Sequence, residues 1–439
     1  MSQRFDQEII IIGAGAAGLL AAIVASEQGR RVLLLEKNRK PGVKILMSGG
    51  TRCNLTHDTD ARGIIEAYGD QGKFLHSALA RLDPKGVIEL FGAEGVGVKR
   101  EDTGKIFPQS DSAVDVQQAL LRRAGRAGVI LSTGEAVTEF AVVDGGFEVV
   151  TPTRRLSCAK LIVTTGGKSY PGCGTTGEGI EWAEKLGHRI VPPRPALAPL
   201  LTDELWVKGL QGLTIPDASV EIRIQKEVAA DAPAAPRQGL RGRVGKDGVL
   251  ARRRSSLLFT HIGLSGPAAL DVSRAVATYP KPRMLELVCD FLPGQTLEAI
   301  ETQWSQEASR EGGKLLLNLV AQHIPRRLAE TLMARAQIPL ELRGAEWSKP
   351  LRKALVTQVK ACRIPMAGTL GFEKAEVTTG GVDLGDVDSR TMESRRTRGL
   401  YFAGEVLDLD GPIGGYNFQA AFSTGMLAGL SAAASLVIP

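Results

Sequence analysis

Ile9 to Glu36 constrains this chain more than any other stretch. Four isoleucines, Ile9 to Ile12, run into Gly13-Ala14-Gly15-Ala16-Ala17-Gly18; an Ala/Leu-rich segment to Ser26, then Gly29, then Val32 to Leu35 and the acid Glu36 follow. That order reads as strand, tight turn, helix, turn and strand. In such a unit Gly13 admits the turn, Gly15 lets backbone approach a pyrophosphate, and Gly18 lets the helix press on the strand. Ala16 and Ala17 open the helix, where the first N–H groups and the dipole favour phosphate. Glu36 stands where a carboxylate accepts both hydroxyls of an adenosine ribose and disfavours a 2′-phosphate, so the half-site suits FAD or NAD better than NADP.

At 439 residues, 43% of them apolar, the chain exceeds one ordinary core and is expected to form two or three domains. The 23% of charged residues is ordinary for a globular protein and argues against wholesale disorder. Much of the net charge of +6 comes from Arg237 to Arg254, read as a solvated basic loop in preference to a nucleic-acid patch. The five cysteines, Cys53, Cys158, Cys173, Cys289 and Cys362, are scattered and never form CxxC, which argues against a disulfide framework and a structural metal. Ile9 to Val24 is interrupted by glycines and preceded by Asp6 and Glu8, so it is read as the first strand and helix, not a signal peptide. No membrane span is expected and the cytoplasm is the expected compartment; nothing in the sequence speaks to oligomeric state.

After Lys37 to Pro41, read as a turn, Gly42 to Asn54 carries Lys44, Ser48, Gly49, Gly50, Arg52, Cys53 and Asn54. Paired glycines give a backbone that presses close to a flat ligand, and Arg52 and Asn54 supply donors, so the segment is expected to line a flavin. Helices are expected near Arg62 to Tyr68, Gly72 to Leu82 and Val114 to Ala127. Val129 to Ser132 and Phe147 to Thr151 read as a small antiparallel hairpin sheet. Lys160 to Val163 is a second buried strand, running into Thr165-Gly166-Gly167 beside the dinucleotide; Ile180 to Leu186, closed by Gly187, is a helix. A proline cluster, Pro192, Pro193, Pro195 and Pro199, marks the first domain boundary.

Strands follow at Ser219 to Gln225, Ser256 to Thr260 and Leu285 to Phe291, with Ala229 to Arg254 read as a mobile hairpin or insertion; Thr296 to Val359 is mainly helical. Nucleotide-domain character returns from Val377: a strand ends in Ala403-Gly404-Glu405, and Gly414-Gly415-Tyr416-Asn417 opens a small-residue helix to Leu430. The expected layout is therefore 1–193 and 372–439 as two parts of one cofactor domain, with 194–371 inserted, β-barrel-like over 194–292 and helical over 293–366. A second Gly-rich turn and a helix start after the Ala-Gly-Glu strand suit an extended FAD. A single full fingerprint leaves no separate NAD(P)H domain.

The segments IIIGAGAAGL, KILMSGGTRCNLT, TTGGKSYPGCGTTGEG, LLFTHIGLSGPAAL, VTTGGV and GLYFAGEVLDLDGPIGGYNFQAAFSTGMLAG span Ile10 to Gly429. With them the chain resembles the bacterial flavoproteins labelled aminoacetone oxidase-type or BaiN-like (bile-acid enone reductase-like) NAD(P)/FAD-dependent oxidoreductases. The resemblance implies an α/β fold: a glutathione-reductase-like FAD-binding Rossmann domain, split in sequence, with an inserted β-barrel-like domain and a helical segment. It also implies cofactor contacts from Gly13, Gly15, Ala16, Ala17, Gly18, Glu36, Lys37, Lys44, Ser48, Gly49, Gly50, Arg52, Cys53, Asn54, Thr165, Gly166, Gly167, Gly404, Glu405, Gly414, Gly415, Tyr416 and Asn417. The stretch Ala229 to Arg254 is longer and more basic than the resemblance leads one to expect. GTTGEG is also similar to the Thr-Gly-Asp-Gly turn of fumarate-reductase and ketosteroid-dehydrogenase flavoproteins, which favours C=C reduction or its reverse.

A helix start at Gly415 to Asn417 is expected to stabilise the negative charge that reduction adds to a flavin. His261, in Phe259 to Gly266, is a candidate general acid or a turn-capping structural histidine. Arg52 is expected either to polarise a substrate carbonyl or to pair with pyrophosphate or a protein carboxylate. Tyr416, like Tyr170, is a candidate donor to substrate or a packing residue. His57, His76, His188 and His323 receive no role, and Cys53 has no resolving partner for disulfide chemistry. The expected activity is hydride transfer between NAD(P)H, flavin and an activated C=C of a small molecule. A flavin-dependent amine oxidase using O₂ and an FAD-dependent RNA-modifying or RNA-binding protein are the alternatives.

Overall fold

The computed structural model describes residues 5–225 and 248–436. The chain divides into two compact units, Met1–Pro195 with Phe372–Pro439, and Ala196–Gly371.

In the first unit β1 (Gln7–Ile12) is flanked on both sides in a parallel sheet, which is why its isoleucines run without polar alternation. Across the sheet the strands lie in the order Ile130–Thr133, β2 (Val32–Glu36), β1, Arg155–Val163, Gly146–Val150 and Glu139–Val143. The strand Arg155–Val163 pairs antiparallel with Gly146–Val150 along its first half. Along its second half it pairs parallel with Leu400–Phe402. Two stretches nearly 240 positions apart in sequence are thus held in one sheet.

Helix α1 (Ala16–Glu27) is buried from Ala16 to Ser26 between that sheet and the C-terminal helix Tyr416–Ala434. The helices meet at glycines: a methyl group on Gly425 would lie 2.3 Å from Ala17 O, and one on Gly429 2.3 Å from Ala21 O. This is the physical use of the small-residue run at the end of the sequence.

Several local expectations are corrected. Ile130–Thr133 does not form a hairpin sheet with the run near Phe147; it adds parallel to β2, with Leu33 opposite Ile130. The long crossover that leaves β2 ends in the helix Ala113–Ala127, which closes at Gly128 in a left-handed conformation and delivers the chain to the sheet parallel to β2. Between the turn and Asn54, α2 (Val43–Thr51) starts as a helix on buried Ile45 and breaks at Ser48, Gly49 and Gly50, the two glycines at φ 55° and 68°. Beyond the expected elements stand a helix, Pro84–Ala93, capped by Asp83 and burying Val87, Leu90 and Phe91 on one face, and a three-stranded sheet of Thr56–His57, Lys105–Pro108 and Val98–Arg100.

The second unit has its own core and a seven-stranded sheet in the order Cys362–Pro365, Leu285–Asp290, Thr214–Ile224, Val249–Thr260, Gly263–Ser265, Leu200–Leu201 and Gly368–Thr369. Its neighbouring strands are antiparallel. Only Met366 and Ala367 separate the two end strands, and their N–H groups bond Leu285 O and Leu201 O. The sheet therefore curls until its edges approach each other, as a barrel does. Helices Leu205–Gly209, Gly266–Thr278, Leu297–Arg310, Leu316–Val320, Arg326–Arg335 and Lys349–Lys360 pack with it. Of the expected hairpin Ala229 to Arg254, residues 229–247 lie outside the described residues. The remainder is strand: Arg252, Arg253 and Arg254 pair in register with Glu221, Val220 and Ser219.

Candidate functional site

The register sets Leu35, Ile12, Val163 and Phe402 in one row across the parallel sheet. Glu36 ends β2 one residue beyond that row, and Gly13, Thr164 and Ala403 start the turns at the carboxyl edge. That edge is where open α/β sheets bind dinucleotides.

The three fingerprint glycines do different work. A methyl group on Gly13, at φ 102°, would meet Thr164 O at 2.7 Å, and one on Gly18 would meet Gly13 O at 1.9 Å. A methyl group on Gly15 would meet no atom of the described residues within 4 Å beyond its chain neighbours. Two glycines therefore close the strand, turn and helix on each other, and the third leaves backbone open to a ligand. Thr164 Oγ1 lies 2.9 Å from Ile12 O and 2.8 Å from Gly13 O and locks the turn. No side chain caps α1, so the N–H groups of its first turn, Ala16 and Ala17 among them, remain for a bound anion. The Glu36 carboxylate accepts from Ala14 N and Asn38 N, both at 2.8 Å, and is fixed at the end of β2.

Around this centre the other expected contacts gather, several of them already engaged. Lys37 donates to Thr176 Oγ1 at 2.8 Å and pairs with Glu178 at 2.5 Å. Lys44 pairs with Glu405 at 2.5 Å. Gly167 is required by closeness, since a methyl group there would lie 2.3 Å from Thr378 Oγ1; one on Gly166 would meet Thr175 Cγ2 at 2.9 Å. Gly404 sets the Ala-Gly-Glu turn beside Ala17, its added methyl only 3.0 Å from Ala17 Cβ. Thr165 Oγ1 is buried without a partner among the described residues, an orphaned hydroxyl at the same edge. The orphan, the open flank of Gly15 and the uncapped helix together fit an extended dinucleotide such as FAD.

The segment 48–57 reaches the C-terminal helix. Ser48 Oγ donates to Ile45 O at 2.9 Å, and burial pushes the Cys53 thiol up to about 12, which removes it as a nucleophile. The Asn54 amide nitrogen donates to Thr56 O and Ile106 O at 2.9 and 3.1 Å, and its oxygen accepts from Gly415 N at 3.0 Å. Gly415 is itself at φ 94°, with Thr56 O 2.3 Å from where a methyl group would sit. Asn417 is taken up by the backbone of Gly411, at 2.6 Å to its N–H and 3.0 Å to its carbonyl.

Of the proposed catalytic side chains, Arg52 takes the protein-carboxylate option. It pairs with Glu101 at 2.7 Å and Asp111 at 3.5 Å and lies 3.9 Å over the Phe107 ring. Those hydrogen bonds and charges, Glu101 foremost, raise its already high pKa. The Tyr416 ring stacks on His57 at 4.6 Å between centroids, and His57 Nδ1 lies 3.0 Å from Gly414 O, so Nδ1 is the protonated nitrogen. His261 occupies the turn between Val249–Thr260 and Gly263–Ser265 in the second unit and is exposed. Sequence reasoning gave His57, Ser169 and Thr378 no role. All three sit in or next to the glycine-rich segments quoted above, but their partners come from distant parts of the chain.

Among the described residues no group of three or more His, Cys, Asp or Glu side chains is arranged to hold a metal ion, and no helix is long and apolar enough to cross a membrane. Residues 7–431 match the family described as HI0933-like protein Rossmann domain. The "Ribosomal RNA dihydrouridine synthase" of Escherichia coli is 36% identical over 96% of this chain and 96% of its own length. The "3-dehydro-bile acid delta(4,6)-reductase" of Clostridium scindens is 31% identical over 96% of this chain and 98% of its own. A solved 3-ketosteroid-delta4-(5alpha)-dehydrogenase from Rhodococcus jostii aligns over 99% of this chain and 98% of that one with a TM-score of 0.50; at 15% identity it shows the fold alone. The chain belongs to the HI0933-like family of FAD-binding, Rossmann-fold oxidoreductases.

Proposed function

We propose that this protein reduces a carbon–carbon double bond conjugated to a carbonyl, with electrons from NADH or NADPH, and that a uracil base of ribosomal RNA is the first substrate to test. The observation that carries this reading is the built dinucleotide edge in a chain whose two differently named relatives share one chemistry. Making dihydrouridine saturates C5=C6 of uracil, conjugated to the C4 carbonyl. A delta(4,6)-reduction of a 3-dehydro bile acid saturates double bonds conjugated to a ketone. When bound, FAD supplies the hydride acceptor and donor between nicotinamide and the electron-poor carbon. One NAD(P)H and one proton are consumed for each bond saturated.

The protein's own residues supply holding and proton delivery. The first turn of α1 and Gly15 would hold the pyrophosphate, Glu36 would hold the ribose, and Tyr416, stacked on His57, is the candidate proton donor to the second carbon. Arg52, held by Glu101, acts by fixing the 48–57 segment. The nicotinamide docks transiently, since a second fingerprint is lacking.

Two measurements test the reading. Anaerobic mixing of the purified protein with NADH and then NADPH is expected to bleach a visible flavin band. Nucleoside mass spectrometry on ribosomal RNA from a deletion strain is expected to show one dihydrouridine missing, restored by the intact gene. An unreactive flavin that yields peroxide with amines overturns the reductase in favour of an amine oxidase. Reduction by nicotinamide with an unchanged ribosomal RNA overturns the RNA substrate and directs the search to small enones.

A further inference from the structure

The Lys44 ammonium and the Glu405 carboxylate meet at 2.5 Å across 361 positions of sequence, from α2 and from the turn after Leu400–Phe402. Their side chains are mostly buried, 27% and 18% exposed. Ser169 Oγ accepts from Lys44 at 2.7 Å and donates to Glu405 Oε1 at 2.6 Å, and Thr378 N donates to the same oxygen at 2.9 Å. Thr378 Oγ1 in turn accepts from Lys168 N at 2.8 Å and Ser169 N at 3.0 Å. A methyl group on Gly167 would come 2.9 Å from Glu405 Oε1, so a side chain there would push this knot apart.

An enclosed ion pair of this kind is a poor source of stability, because desolvation offsets much of its attraction. Its position gives it another use. Gly404, the residue before Glu405, abuts Ala17 at the start of α1, so the pair lies at the edge that receives the dinucleotide. Both carboxylate oxygens are committed to protein donors. The ammonium has three N–H groups and, among the described residues, two partners, Ser169 and Glu405, which leaves one donor.

We infer that Lys44 adds a charged contact to bound FAD, beside those of α1, Gly15 and Glu36, and that Glu405, clamped by Ser169 and Thr378, is a positioning residue that sets how much of the Lys44 charge the flavin feels. The inference rests on the FAD reading. Reduction adds negative charge to a flavin, which a nearby cation stabilises and a nearby carboxylate opposes. The two members of the pair therefore move the flavin midpoint potential in opposite directions, which a merely structural pair does not do.

The test uses the purified holoprotein, with the midpoint read by equilibrium titration against a redox dye and FAD affinity by fluorescence titration of the apoprotein. Lys44→Met is expected to move the midpoint to more negative potential and to weaken FAD about tenfold or more, the worth of one charge-assisted hydrogen bond. Glu405→Gln is expected to move it to more positive potential. The double variant, which leaves no charge buried alone and so guards against misfolding, is expected to return it toward the wild-type value. Flavin-bound variants whose midpoints stay unchanged, or move the same way, overturn this inference alone. A wild-type protein that binds no flavin overturns the cofactor reading and this inference together.

Discussion

At the scale of single residues, the three fingerprint glycines separate folding from binding. Gly15→Ala fills open space and is expected to change apoprotein stability by less than about 1 kcal/mol while weakening FAD, because the new methyl stands where a ligand approaches. Gly18→Ala forces a methyl to 1.9 Å from a backbone carbonyl and is expected to cost roughly 2–4 kcal/mol before any cofactor is added. Urea unfolding of the two apoproteins, followed by FAD titration of whatever folds, checks both. Equal destabilisation by the two changes would refute the division of labour. His188 shows what the same chemistry does far from the edge. It is buried, with Nδ1 2.9 Å from Ala183 O and Nε2 2.7 Å from Ser394 Oγ, so it acts as a staple. Desolvation by burial holds its pKa below 6.5. The folded state therefore binds its proton less readily than the unfolded chain, and its contribution is complete above pH 6.5 and declines below it.

At the scale of elements, strand ends matter more than strand centres. The turn after Ile130–Thr133 is fixed by Glu135, whose N–H donates to Glu36 O at 2.9 Å and whose carboxylate takes two 2.8 Å bonds from Arg154 and others from Ser132 and Thr151. The hydrogen bonds from Arg154, above all, pull its pKa down to about 2 from 4.5. A depressed carboxylate contributes stability that is complete above pH 4.5 and lost as the pH falls toward 2. Glu135→Gln is expected to cost about 1–2 kcal/mol at neutral pH, a value reduced for the half-exposed Arg154 partner, and to cost less as the pH falls. Urea unfolding from pH 7 down to pH 3 measures the gap between variant and wild type; a gap constant over that range removes the carboxylate as its cause. The glycine pair Gly425 and Gly429 works at the same scale, since it sets how near the C-terminal helix lies to α1 and so where the first turn of α1 stands.

At the scale of the whole molecule, the cofactor edge belongs to the unit built from both ends of the chain, and the intervening unit has a separate core. FAD is therefore expected to slow amide hydrogen exchange at 13–18, 36–54, 164–169 and 404–417, and to leave the central strands Thr214–Ile224 and Leu285–Asp290 unchanged. Slowing of equal size in those strands would contradict that division. The basic stretch also changes meaning at this scale, because Arg252, Arg253 and Arg254 face Glu221, Asp271 and Asp217 at 2.5, 2.7 and 2.8 Å, so their charge is compensated locally. The sequence by itself determined the β1–α1–β2 unit, the acid at its end, and the glycines that crowd the edge. These depend on short-range steric rules and on periodicity, which neighbouring residues fully express. Only the tertiary structure decided that Lys44 meets Glu405, that Arg52 is held by Glu101, that His57 stacks on Tyr416, and that Ile130–Thr133 runs parallel to β2. Each is a pairing between residues far apart in the chain, set by which strands and turns the sheet brings to one edge, and no local pattern of residues encodes a partner at that distance.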